Sequence, residues 1–115
     1  TGGMYSEVLV ATRSLALENI YSDIYSLRFI KPLDEKYFLE IAAKYDGIVF
    51  VEDGIISGGI SEYLSCLCAK NGITNFCVNA FSEKFYPNGT RAQICKLAHI
   101  SSADIKNSAL SLLKK

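Results

Sequence analysis

Two neighbouring carboxylates, Glu52 and Asp53, close the apolar run Ile48-Val49-Phe50-Val51 and are followed by Gly54, Gly58 and Gly59. A run without polar alternation suits a strand covered on both faces, and the carboxyl end of such a strand is where open α/β sheets place ligand crevices. Glu52-Asp53 is therefore the best position in the chain for a functional side chain. Acid/base work needs more than adjacent carboxylates, and no His, Lys or metal-ligand pattern accompanies them. The favoured reading is that they cap the following helix or meet a neighbouring domain.

The other chemistry-bearing residues give weaker signals. Gly54 and Gly59 have the spacing of a phosphate-binding loop, but Ile60 and Ser61 stand where Lys and Ser or Thr should be, so no side-chain charge would meet the phosphates. Gly58-Gly59 instead lets the chain turn tightly and start a helix close to the sheet. Only a weak anion site at that helix start stays open. Ser61 has a Gly two residues before it, as in a nucleophile elbow, but lacks the closing Gly, and the one imidazole, His99, has no motif around it. Cys66 and Cys68 point about 200° apart on a helix and cannot close on one ion, so they, Cys77 and Cys95 read as unbridged thiols of a reducing compartment. Asn88-Gly89-Thr90 fits a glycosylation acceptor but reads as a turn. No catalytic, cofactor-binding or metal-binding residue is assigned.

At 115 residues the chain can build one core, so residues 1–115 are expected to form a single domain. Half of it is apolar, which is the balance of a folded domain. Twelve basic and twelve acidic residues cancel, with no basic stripe to neutralise phosphates, which argues against nucleic acid. No apolar run approaches the roughly 20 residues that span a bilayer. Thr1 to Tyr5 is unlike a signal peptide, and Lys114-Lys115 reads as a solvated end. A cytoplasmic location is expected, with no membrane partner.

The elements that must position Glu52 and Asp53 follow from periodicity. Met4, Val8, Ala11 and Leu15 predict a helix from Met4 to about Glu18, with a rival strand reading for Glu7–Thr12. Ile24 to Ile30, β-branched and aromatic and stopped by Pro32, predicts a strand. Asp34 is placed to cap a helix bearing Tyr37, Phe38, Ile41, Ala42 and Tyr45 on one face. The buried strand at 48–51 and a loop from Glu52 to Ser57 come next. Ile60, Tyr63, Leu64, Leu67 and Cys68 predict a third helix, closed by Asn71-Gly72. A strand at Thr74–Asn79 precedes two short helices, from Thr90 to about Ala98 and from Ser101 to about Leu113, the second opened by the Ser101/Asp104 pair. Alternation of this kind gives a mostly parallel sheet in a three-layer α/β/α sandwich.

Two stretches, Arg28-Phe29-Ile30-Lys31-Pro32-Leu33-Asp34-Glu35 and Ile48-Val49-Phe50-Val51-Glu52-Asp53-Gly54-Ile55-Ile56-Ser57-Gly58-Gly59, together with Phe85-Tyr86-Pro87-Asn88-Gly89-Thr90-Arg91, are similar to the C-terminal domain of the transketolase family. Within that family the chain most resembles the branch that makes 1-deoxy-D-xylulose 5-phosphate. Transketolase itself and the pyruvate dehydrogenase beta chain remain alternatives, as does a free-standing binding module with a similar sheet. The resemblance implies a parent enzyme that uses thiamine diphosphate and Mg2+, held by a Gly-Asp-Gly…Asn-Asn element and a central domain that this sequence does not contain. It implies no cofactor in this chain, and as partners the N-terminal and central domains and a second copy in a homodimer. Arg28, Pro32, Glu52, Asp53, Gly58 and Gly59 become candidates for shaping the interdomain face. Thr1-Gly2-Gly3 resembles the turn after that domain's first inner strand. That strand is accordingly expected to be missing, and its place would lie between Ile24–Ile30 and Ile48–Val51.

Overall fold

In the computed structural model, which describes residues 1–114, helices alternate with strands along the chain. Lys115, half of the basic end read from the sequence, lies outside the described residues. A 3-10 turn at Gly2–Met4 runs into α1 (Tyr5–Ala16). Then follow α2 (Glu35–Ala42), β1 (Ile48–Ile55), α3 (Ile60–Lys70), β2 (Phe76–Phe81), α4 (Arg91–Leu97) and α5 (Ser102–Leu113). The rival strand at 7–12 is overturned, because α1 buries Ala11 and Leu15 with one helical stripe.

β1 and β2 pair in parallel, Ile48 opposite Phe76 and Phe50 opposite Val78, with α3 as the crossover that a parallel pair requires. Alternation along β1 sends side chains to two different helical layers. Val49 and Val51 pack with Met4, Ala11, Cys95, Ile100 and Ile105, from α1, α4, α5 and their flanking turns. Ile48 and Phe50 pack with Ala42, Leu64 and Cys68, from α2 and α3. Phe50 stacks between Phe38 and Phe76, with ring centroids 6.3 and 5.9 Å away. The α/β class and the three layers stand, around a two-stranded sheet among the described residues.

Several elements differ from the sequence reading, and one of them is α2, which ends at Ala42 and leaves Tyr45 beyond the helix. Ile24–Ile30 is not a strand. A strand exists only where a neighbour takes its backbone groups, and this segment enters no ladder. The segment from residue 20 to 33 is instead a strap held by side chains: Leu27 and Leu33 pack on the Phe50 cluster, and Tyr45 hydroxyl joins Tyr25 (2.8 Å) and Asp23. Next, β1 continues through Glu52 and Asp53 to Ile55, where a loop was expected, with its register irregular beyond Val51. β2, lastly, lies two residues later than read from the sequence.

Helix ends follow local chemistry. Asp34 accepts from Tyr37 N–H at 3.0 Å, and Ser101 and Asp104 close a capping box. Thr90 and Gln93 form a second box at α4. Gly72, at φ +78°, ends α3 in the left-handed conformation, and Ile73 N–H returns to Cys68 carbonyl at 3.0 Å.

Candidate functional site at the carboxyl end of β1

Because successive strand residues face opposite sides, Glu52 and Asp53 leave β1 towards different layers. Glu52 turns to α3 and is 8% exposed. Its carboxylate accepts from Ile60 N–H and Ser61 N–H, both at 3.0 Å, and from the Ser61 hydroxyl. It thus meets the free amides of the first turn of α3, where a negative charge is favoured. Burial, the largest single influence on this carboxyl, raises its pKa, but the Ser61 and Ile60 hydrogen bonds together outweigh it and hold it below the usual carboxylate range.

That contact requires a bare backbone at Gly59. A Cβ there would lie 2.5 Å from Ile55 carbonyl and 2.6 and 2.7 Å from the two Glu52 oxygens. Gly58 serves differently: its φ of +75° is left-handed, and the space around it is open. Its N–H is held by the Glu62 carboxylate.

Asp53 turns to the α1 and α4 layer. Its Oδ2 accepts from Gly3 N–H at 3.1 Å and from Arg91 Nη2 at 2.9 Å. Arg91, the first residue of α4, also reaches the Met4 sulfur at 3.5 Å. Gly2 and Gly3 admit this pair because Cβ atoms there would come within 2.8 Å of Asp53. The turn at Gly2–Met4, the end of β1 and the start of α4 are thereby tied at one carboxylate.

Of the six residues singled out from the sequence, Glu52, Gly58 and Gly59 come together at the start of α3, and Asp53 lies on the opposite side of the strand. Arg28 and Pro32 sit exposed on the strap, and among the described residues neither hydrogen-bonds to the β1 cluster. Arg91 is the residue that sequence reasoning named only within a loop pattern and gave no role. Its spacing carries no signal of this contact, which depends on how the start of α4 folds back onto the end of β1.

Both Glu52 oxygens and Asp53 Oδ2 accept hydrogen bonds from within the chain. Ser61 is buried and donates its hydroxyl to Glu52. His99 is exposed, at φ +56° on the turn that ends α4, with Nδ1 3.8 Å from Asp104. Cys68 and Cys95 are buried, and burial pushes both thiols up, away from the reactive thiolate. Among the described residues no group of three His, Cys, Asp or Glu gathers to hold a metal ion, and no helix is long and apolar enough to cross a membrane. With both β1 carboxylates engaged, the residues present do not fit a magnesium diphosphate group.

The sequence matches the family described as Transketolase, C-terminal domain, over residues 1–105. It is similar to proteins named 1-deoxy-D-xylulose-5-phosphate synthase. That of Treponema pallidum (strain Nichols) is 43% identical over 98% of this chain, and that of Caldanaerobacter subterraneus subsp. tengcongensis is 34% identical over 99%. That of Natranaerobius thermophilus is 31% identical over 98%. The chain spans 18% of the length of each of these relatives.

Proposed function

Because the chain belongs to the transketolase C-terminal domain family, we propose that it is the C-terminal domain of a cytoplasmic, thiamine-diphosphate-dependent 1-deoxy-D-xylulose-5-phosphate synthase. That enzyme joins pyruvate to glyceraldehyde 3-phosphate with loss of carbon dioxide, at the head of isoprenoid, thiamine and pyridoxal precursor synthesis. The domain's part is mechanical. It packs against the N-terminal and central domains and supports a homodimer, while thiamine diphosphate and Mg2+ are bound elsewhere in the longer protein.

The observation that carries this reading is coverage: the likeness runs over 98% of this chain yet over only 18% of the relative. The site agrees with it. Glu52 and Asp53 have the location of functional carboxylates in an open α/β sheet, but both Glu52 oxygens already accept from Ile60 and Ser61, and Asp53 Oδ2 from Gly3 and Arg91. Of the residues proposed for the interdomain face, Arg28 and Pro32 are exposed on the strap and free to meet a neighbour. Glu52, Asp53, Gly58 and Gly59 would act less directly, by fixing the shape of the carboxyl end of β1.

Two measurements test the proposal. Arg28→Ala in the full-length enzyme is expected to weaken the dimer in sedimentation while leaving kcat of the assembled enzyme within about twofold, roughly 0.4 kcal/mol. A large fall in kcat with the dimer intact would place Arg28 in the chemistry and overturn the supporting role. Calorimetric titration of the isolated chain with thiamine diphosphate and Mg2+ is expected to give no heat of binding, and tight binding would end the reading altogether.

A further inference from the structure

We draw no further inference here: the strongest candidate, the exposed aromatic surface of the strap at Tyr21 and Phe29, is an unpartnered surface, and nothing in the structure shows what covers it.

Discussion

The carboxyl end of β1 and the strap at 20–33 sit at opposite extremes of self-sufficiency. At the strand end, each carboxylate finds two or more donors within this chain, and three glycines are shaped around them. On the strap, Tyr21 is 82% exposed and Phe29 77%, and the segment pairs with no strand. Buried polar groups are costly unless bonded, so a region that must hold its shape alone completes its own bonds. Large apolar side chains left in water are instead the mark of a surface that gains by meeting another. The comparison separates bonds that the domain completes for its own fold from apolar surface that it leaves exposed.

The largest effect should come from crowding the strand end. Gly59→Ala forces Cβ into Ile55 carbonyl and the Glu52 carboxylate, so the overpacking cost adds to the loss of the helix cap. About 3 to 5 kcal/mol is expected, enough to unfold a marginal domain, read as lost urea-unfolding cooperativity or lost far-UV dichroism. Gly58→Ala has open space and only an unfavourable φ, so it should cost about 1 to 2 kcal/mol. Equal costs at the two positions would show that the Glu52 contact is not what makes Gly59 necessary.

Glu52→Gln comes next. It leaves the amide and hydroxyl donors of Ile60 and Ser61 facing a neutral group, at about 1 to 3 kcal/mol near pH 7. The pH dependence gives the sign. The folded-state pKa of Glu52 is depressed, so its contribution is fully present above the unfolded carboxyl value of about 4.3 and is lost as pH falls through the lower folded value. Wild type and Glu52→Gln should therefore converge in stability on acidification. A difference that stays constant from pH 7 to pH 3 would mean that the carboxylate charge plays no part.

What the sequence made legible was local. Asp34, Thr90 and Ser101 each mark a helix start because capping joins residues three apart, and Gly72 marks an end because only a residue tolerant of positive φ fits there. Ile48-Val49-Phe50-Val51 read as doubly covered, and the two helical layers cover it. Ile24–Ile30 misled for the opposite reason: its composition is that of a strand, but strand formation depends on a partner that no window of sequence contains. At the site, the sequence reading put Glu52 and Asp53 at the end of the strand but in a loop, so their opposed directions emerge only because β1 continues to Ile55. That Asp53 would find Arg91 and Gly3 depends on how α4 and the first turn fold back, and no spacing encodes that.

The Asp53 side of the strand end should be the softer half. The Asp53–Arg91 pair is partly solvated, so Arg91→Ala is expected to cost about 0.2 to 1 kcal/mol, most of it absent in high salt. A double-mutant cycle with Asp53→Asn isolates the pair from the Gly3 bond. A coupling energy above about 2 kcal/mol would place this pair with Glu52 among the bonds the fold cannot do without.

The smallest effect within the isolated chain should come from the strap, and it sharpens the comparison most. Phe29 is 77% exposed, so Phe29→Ser removes little buried area and should shift the stability of the isolated domain by less than about 0.5 kcal/mol. In the longer enzyme proposed above, the same change should be felt if the strap meets a neighbouring domain, because an aromatic ring that fills a neighbour's surface is worth about 1 kcal/mol or more once water is excluded from it. The measurement is one substitution in two contexts, urea unfolding of the domain and thermal unfolding of the assembled enzyme. If the change costs nothing in either, the exposed strap is ordinary surface; if it costs the same in both, Phe29 serves the domain's own fold. Only a cost confined to the longer protein fits a surface held ready for its neighbours.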